Sequence, residues 1–263
     1  MDLGLKGRVA VVTGGTSGIG LAAARVFLEE GADVAICGRD DARLSAARDP
    51  LAREFGATRV LAVRCDVTKA DETRAFADAV KEWRGRADVL VNNAGQGRMS
   101  TFANTTDEQW REELDLKYFS QIYPVRAFLP MLEASGAGAI VAVNSLLAYQ
   151  PEPYMVCTSS ARAGVQSLLK SLATEFAGRV RVNSVVLGLI DSGQWERRFQ
   201  ARDDKSQSRD EWIAALAKSK HIPFGRLGKP EEVARAIVFL SSPNVAYITG
   251  ASLEISGGVS RYI

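Results

Sequence analysis

The chain has 263 residues, 46% of them hydrophobic, and its 33 basic and 31 acidic residues give a formal net charge of +2. This near balance gives no sign of a nucleic-acid partner or of binding to a charged membrane surface. No apolar run approaches the roughly 20 residues that a membrane span requires, and the N-terminus lacks the basic-then-apolar pattern of a signal peptide. We therefore expect one cytoplasmic domain over residues 1–263.

The cysteines and the histidine argue against metal or disulfide chemistry. Cys37, Cys65 and Cys157 are odd in number, widely spaced and set in apolar surroundings, which favours packing roles. His221 is the only histidine, so a two-histidine metal site is excluded, and we interpret it as a loop residue. The sequence thus predicts no bound metal.

A glycine-rich stretch near the N-terminus predicts a dinucleotide-binding turn. The apolar run 9–12 is followed by Thr13-Gly14-Gly15-Thr16-Ser17-Gly18-Ile19-Gly20 and then by an amphipathic segment, which indicates strand, tight turn and helix. Gly14 can adopt the positive φ of a sharp turn, Gly18 lets the backbone approach a pyrophosphate, and Gly20 lets the helix lie close to the strand. Taken alone, the motif also fits an ordinary glycine-rich turn.

The end of the second predicted strand indicates which dinucleotide is bound. A protein of this type that uses NAD places a carboxylate here for the ribose hydroxyls, whereas this chain has Gly38 followed by Arg39. A small residue beside a guanidinium suits the 2′-phosphate of NADP(H). The alternative is a solvated arginine at the start of a helix.

Strands and helices alternate along the rest of the chain. Because parallel strands need crossovers, this order predicts a Rossmann-type, doubly wound parallel sheet of about seven strands with helices on both faces. We expect a capping box at Thr106 and Gln109, and a long helix kinked or interrupted at Pro124 and Pro130. Residues 188–222 are the longest irregular region, and we expect them to form a substrate loop or lid. The predicted strands are about 9–12, 32–37, 60–64, 88–92, 139–144, 180–186 and 252–255, and the other helices about 19–30, 71–83, 157–176 and 230–240.

Several motifs together resemble the short-chain dehydrogenase/reductase family over essentially the whole chain. Besides the glycine turn, they are Asp66-Val67, Asn92-Asn93-Ala94-Gly95, Pro223-Phe224-Gly225-Arg226 and Pro230-Glu231-Glu232-Val233-Ala234. The resemblance implies a nicotinamide cofactor, hydride transfer to or from a carbonyl or alcohol, and usually a homotetramer. The residues expected to bind the cofactor are Gly14, Thr16, Ser17, Gly18, Ile19, Gly20, Arg39, Asp66, Val67, Asn93, Ala94, Gly95, Arg162, Gly188, Ile190 and Ser192.

The catalytic positions depart from the family pattern. The family uses Asn, Ser, Tyr and Lys, the last two in a Tyr-xxx-Lys motif. Ser145 stands where the family serine belongs, but Thr158 stands at the tyrosine position, Arg162 at the lysine position and Lys117 at the asparagine position. Three of the four catalytic positions are therefore substituted.

The substitutions leave the proton donor for carbonyl reduction open. Ser145 and Thr158 could each donate a hydrogen bond to a substrate oxygen, but a threonine hydroxyl is too weak an acid to supply the proton. Arg162 keeps a charge near the ribose without titrating near neutral pH. We favour Lys117, whose pKa burial and a neighbouring cation would lower, with Tyr154 as the second candidate or else a packing or substrate-pocket aromatic.

Two functions stay open at this point. One is an NADP(H)-dependent oxidoreductase of the carbonyl reductase or alcohol dehydrogenase type with a rebuilt acid–base centre, acting on a small molecule. The other is a cofactor-binding protein with little or no redox turnover, acting as a sensor, a scaffold or a site of non-redox chemistry. The substrate depends on residues 96–99 and 189–222, whose shapes the sequence pattern does not give.

Overall fold

A computed structural model of the chain describes residues 2–262. Seven parallel strands form one sheet in the order β3-β2-β1-β4-β5-β6-β7. The order reverses direction at β1, so the crevice beyond the carboxyl ends of β1 and β4 is the switch point at which such sheets bind ligands. The strands are β1 Val9–Thr13, β2 Asp33–Gly38, β3 Val60–Arg64, β4 Val89–Asn92, β5 Gly138–Ser145, β6 Val180–Leu187 and β7 Ser252–Ile255.

Helices cover both faces of the sheet. Alternate residues of β1 pack to opposite sides, Ala10 and Val12 toward one helical layer and Val9 and Val11 toward the other. Burial on both faces explains why the central strands read as continuous apolar runs. Within residues 2–262, no helix has the length and apolarity to cross a bilayer. The helices are α1 Gly18–Glu29, α2 Asp41–Phe55, α3 Ala70–Arg84, α4 Asp107–Ala134, α5 Val156–Glu175, α6 Gly193–Gln200, α7 Arg209–Ser219 and α8 Pro230–Ser241.

The structure confirms the seven-stranded doubly wound sheet and the capping box predicted at Thr106 and Gln109. Of the kink or interruption expected at Pro124 and Pro130, the interruption is wrong, because α4 continues through both prolines. Pro124 is buried, and the buried residues Phe128 and Leu132 follow it at helical spacing. Packing of this apolar stripe against the sheet offsets the backbone hydrogen bonds that the prolines remove.

A buried carboxylate ties the amino end of the sheet together. The Asp88 side chain, which is fully buried just before β4, accepts hydrogen bonds from Arg86, from the Val9 backbone N–H at 2.8 Å and from the Ser135 hydroxyl. Arg8 also lies 3.2 Å from it. Burial by itself raises the pKa of Asp88, but the bonds from Arg86, Ser135 and Val9 outweigh it and hold the pKa below its usual value.

We expect Asp88→Ala to lower the free energy of unfolding by about 3 kcal/mol, because it leaves several donors without their buried partner. Urea unfolding at neutral pH measures the loss, with Asp78→Ala on the exposed face of α3 as a control that should change it by less than about 0.5 kcal/mol. Since the pKa of Asp88 is lowered by folding, the difference between Asp88→Ala and the wild type should shrink as the pH falls through that pKa. Equal stabilities of the wild type and Asp88→Ala would contradict this account.

Candidate active site

The glycine turn after β1 is tightly closed. Gly14 has φ +64° and Gly18, the first residue of α1, has φ +53°, conformations that favour glycine. A Cβ on Gly20 would lie 2.4 Å from the Gly14 carbonyl oxygen, and a Cβ on Gly14 would lie 2.9 Å from Ala94 Cα. Gly18 and Ile19 are the first residues of α1. The N–H groups at the start of a helix have no partner within it, and here they lie next to the glycine turn.

The carboxyl ends of β1 and β4 are joined by reciprocal hydrogen bonds. Asn93 Nδ2 donates to the carbonyl oxygens of Thr13 at 3.0 Å and Gly14 at 3.1 Å. Thr13 Oγ1 accepts from the backbone N–H groups of Asn93 at 3.0 Å and Ala94 at 3.1 Å. Asn93 and Ala94 thus border the glycine turn, and the exposed Gly95 follows Ala94. That the three residues lie along a bound cofactor stays a prediction.

Two arginines follow the end of β2, and one of them contacts a hydroxyl group of the turn. A Cβ on Gly38 would lie 2.6 Å from Thr16 Cγ2, so the end of β2 has no room for a carboxylate unless Thr16 moves. Arg39 is exposed next to it. Arg43, in the first turn of α2, lies with its Nη2 3.2 Å from Ser17 Oγ. The sequence interpretation missed Arg43, which lies in the first turn of α2.

Asp66 and the buried Val67 lie just beyond β3, next to the end of β2. The Asp66 carboxylate accepts hydrogen bonds from the Thr68 backbone N–H at 3.0 Å and hydroxyl at 2.7 Å. Burial opposes ionisation, but these bonds and the charge of Arg39 lower the pKa of Asp66 below its usual value. The carboxylate is therefore fixed and charged at the sheet edge.

The segment after β6 borders the candidate cofactor site on the side opposite to β2 and β3. The Gly188 N–H donates to the Ile255 carbonyl at 3.0 Å, and a Cβ on Gly188 would lie 2.9 Å from Ser256 Cα. Ile190 forms an isolated parallel bridge with Gly228. Ser192 precedes α6 and lines, together with Gly18, a cavity of about 440 Å³. These residues bring the start of the predicted lid over the glycine turn.

Asn144 at the end of β5 links Arg162 of α5 to Ser145, because its side-chain oxygen lies near the Arg162 guanidinium and accepts from the Ser145 N–H. Arg162 Nη1 donates to the Val143 carbonyl at 2.8 Å and lies 3.5 Å from Asn144 Oδ1, while its Nε is buried without a partner. Burial lowers the pKa of Arg162 to about 10, so the guanidinium stays charged at neutral pH. Among residues 2–262, the Ser145 hydroxyl accepts a 3.3 Å bond from the Leu147 N–H and has no acceptor for its own hydrogen.

Thr158 lies one turn before Arg162 on α5, as the spacing predicts, but its hydroxyl has another partner. It is buried, donates to the Glu113 carboxylate and accepts from the Arg98 backbone N–H at 3.1 Å. In this structure the single hydroxyl hydrogen of Thr158 is used inside the protein, and its action on a substrate oxygen stays a prediction.

Lys117 is buried at the same place. Its Nζ lies 2.8 Å from Glu113 Oε1 and donates to the Gln96 carbonyl. Burial and then the charge of Arg162 lower the pKa of Lys117 to about 8, against the opposing effect of Glu113. The sequence interpretation foresaw this lowered pKa but missed Glu113, whose i,i+4 spacing on α4 was the available signal.

Tyr154 is held by a lysine from the predicted substrate loop. Lys220, directly after α7, donates from Nζ to the Tyr154 hydroxyl oxygen at 2.6 Å. The two residues are 66 positions apart, so no local motif announces the pair. Tyr154 thus remains a candidate proton donor, with a cation beside its phenol.

Comparisons with known proteins agree with this architecture. A family model described as enoyl-(acyl carrier protein) reductase matches residues 14–260. The chain is 35% identical to a 3-oxoacyl-(acyl-carrier-protein) reductase of Chlamydia muridarum over 97% of this chain and 98% of that protein. It belongs to the short-chain dehydrogenase/reductase family.

Two solved structures of this family are particularly similar. One is the NADPH-bound short chain oxidoreductase from Pseudomonas aeruginosa PAO1, described as containing an atypical catalytic center; it is 58% identical, with a TM-score of 0.92 over 97% of this chain and 98% of that one. The other is L-sorbose reductase from Gluconobacter frateurii complexed with NADPH and L-sorbose, 35% identical with a TM-score of 0.95 over all of both chains. The family assignment made from motifs is confirmed.

We expect Thr158→Val to lower the free energy of unfolding by about 1–3 kcal/mol, because the isosteric side chain leaves the Arg98 N–H and one bond to Glu113 unsatisfied in a buried place. Thr158→Ser keeps the hydroxyl and should lose clearly less. Urea unfolding of the three proteins measures both. If Val and Ser variants were equally stable, the hydroxyl would not hold Glu113 as described.

Proposed function

We propose that the protein is an NADP(H)-dependent oxidoreductase that reduces a small carbonyl compound, or oxidises the corresponding alcohol, with Lys117 as the proton donor or acceptor. The observation that carries the proposal is the buried Lys117 ammonium beside Arg162, at a family catalytic position and with a pKa of about 8. An ordinary lysine titrates near 10.4, whereas a lysine with this lower pKa is suited to exchange a proton close to neutral pH.

The chain's residues fit a dinucleotide. The glycine turn admits no Cβ at Gly14 or Gly20, which suits a backbone that lies against a pyrophosphate. Arg39 and Arg43 would hold the 2′-phosphate, and the Arg162 fork would hold the hydroxyls of the nicotinamide ribose. The P. aeruginosa and G. frateurii relatives are both described with NADPH bound, which supports the same choice here.

The role of each residue follows from which hydrogen-bond donors have no other partner. When bound, the nicotinamide supplies or accepts the hydride. The Ser145 hydroxyl orients the substrate oxygen, because its hydrogen is not used elsewhere. In reduction, the Lys117 ammonium gives a proton to the alkoxide oxygen as it forms, becomes a neutral amine and takes a proton from water afterwards. Arg162 stays charged throughout.

We expect NADPH to bind at least about tenfold more tightly than NADH, since a charged contact to the 2′-phosphate contributes ~1.5–3 kcal/mol. Arg39→Ala should remove most of this preference, and Arg43→Ala part of it. Isothermal titration calorimetry with both cofactors measures the affinities, and Arg48→Ala, an exposed arginine later on α2, serves as the control. Equal affinities in the wild type, or an unchanged preference in Arg39→Ala, would remove the argument.

We expect Lys117→Met to lower turnover by roughly 10²–10⁴-fold, the range that a general acid contributes, and to leave NADPH affinity nearly unchanged. Methionine keeps the length and the apolar stem but carries no proton. Steady-state NADPH oxidation with ketones, aldehydes and 3-oxoacyl thioesters measures turnover, and Tyr154→Phe is the matched comparison.

The outcomes separate the candidate donors and functions. A large loss in Tyr154→Phe with full activity in Lys117→Met would transfer the role to Tyr154 and its partner Lys220. NADPH binding without wild-type turnover on any of these carbonyls would favour a cofactor-binding protein without redox function. The substrate loop at residues 188–222, the homotetrameric state and the cytoplasmic location stay predictions.

A further inference from the structure

One carboxylate joins the substituted catalytic positions. Glu113 is 2% exposed, and its Oε1 lies 2.8 Å from Lys117 Nζ and accepts the hydrogen bond of the Thr158 hydroxyl. Lys117 is 3% exposed, and its second donor bond goes to the Gln96 carbonyl. A buried carboxylate is costly unless it is paired and hydrogen-bonded, and here one oxygen receives both partners.

We propose that Glu113 is the positioning residue of this active centre: its carboxylate fixes the Lys117 ammonium against the Gln96 carbonyl and keeps it charged next to Arg162. Neither the comparisons nor the family motifs assign this residue. For its catalytic consequence the inference rests on the proposed function of Lys117, but the geometry and the charge balance stand without it.

The charges around Lys117 show why an anion is needed. Arg162 on α5 and Arg98 in the loop before α4 both act on the ammonium as like charges, and burial adds to them. Glu113, one turn before Lys117 on α4, supplies the opposing negative charge both through space and through the hydrogen bond. Without Glu113, the three cations Lys117, Arg162 and Arg98 would share a buried site, and the lysine would give up its proton.

Thr158 directs the carboxylate to the lysine. Glu113 also acts electrostatically on Arg162, so the carboxylate could have turned toward the guanidinium. The hydroxyl of Thr158, itself fixed by the Arg98 N–H at 3.1 Å, holds Oε1 on the Lys117 side instead. A threonine at the position of the family tyrosine therefore has a structural purpose that depends on Glu113.

The direct test follows the titration of Lys117 in the cofactor-free protein. NMR of protein labelled with ¹³C at lysine Cε gives the midpoint, and Lys117→Met assigns the signal. We expect Glu113→Gln, which keeps the shape and the hydrogen-bond acceptor but not the charge, to lower the Lys117 midpoint by about 1–3 pH units. Glu108→Gln, an exposed glutamate on the first turn of α4, should leave it in place. An unmoved midpoint in Glu113→Gln would overturn the proposal.

Kinetics then test the consequence for catalysis. In reduction, activity needs the ammonium, so kcat of Glu113→Gln should fall at a lower pH than kcat of the wild type, with NADPH affinity unchanged. Glu113→Asp keeps the charge one methylene further away and should lie between the two. If Glu113→Gln does not fold, the Asp variant carries the test, and a wild-type midpoint there would count against the proposal.

The two hypotheses fail separately. Full turnover of Lys117→Met would refute the role of Lys117 in catalysis, while a lowered Lys117 midpoint in Glu113→Gln would still support the positioning role of Glu113. Conversely, an inactive Lys117→Met with an unmoved midpoint in Glu113→Gln would leave the proton donor in place and remove only its proposed partner.

Discussion

Burial of the central strands on both faces is the constraint on which the rest of the molecule depends. The apolar residues of β1 are directed alternately into two helical layers. A polar side chain that leaves a face of the sheet, such as Asn144 toward Gln166, is buried and hydrogen-bonded to a covering helix. The polar groups of the candidate site lie where strands end. Asp88 closes the amino end, and the reciprocal bonds of Asn93 and Thr13 close the carboxyl end around the glycine turn. The position of the site at the strand ends thus follows from the fold and does not depend on which catalytic residues it contains.

The candidate active site also brings buried charges together. Lys117, Thr158 and Arg162 stand at positions where the family has other residues, and a buried charge or hydroxyl without a partner is costly. Glu113 makes them compatible, since it neutralises one cation and accepts the threonine hydroxyl. Substituting one of these positions without the others would leave an unpaired charge or hydrogen bond, so we interpret the four residues as a unit.

The sequence predicted the parts of the fold and site that depend on local pattern. Apolar runs, capping residues and the glycine turn gave the strands and most helix ends, and family spacing placed Thr158 and Arg162 on one turn of α5. It did not decide features that depend on distant packing. The sequence left open whether the long helix is kinked or interrupted, and α4 continues through Pro124 and Pro130 because its buried stripe outweighs local propensity. Glu113 was visible at i,i+4 from Lys117, but a sequence does not show that this helix face is buried rather than solvated. The bond between Tyr154 and Lys220 joins two segments that are far apart in the sequence and meet only in the folded protein.

A lysine acid differs from a phenol acid in how it uses a neighbouring cation. When a phenol gives up its proton it gains negative charge, so a nearby cation stabilises the product. When the Lys117 ammonium gives up its proton it loses positive charge, so Arg162 destabilises the starting state. Both arrangements lower the pKa, but the lysine would discharge too early without an anion. Glu113 opposes the effects of burial and of the Arg162 charge, and the pKa of Lys117 is about 8, so that the ammonium is still the main form at neutral pH. The arginine and the glutamate are therefore required together.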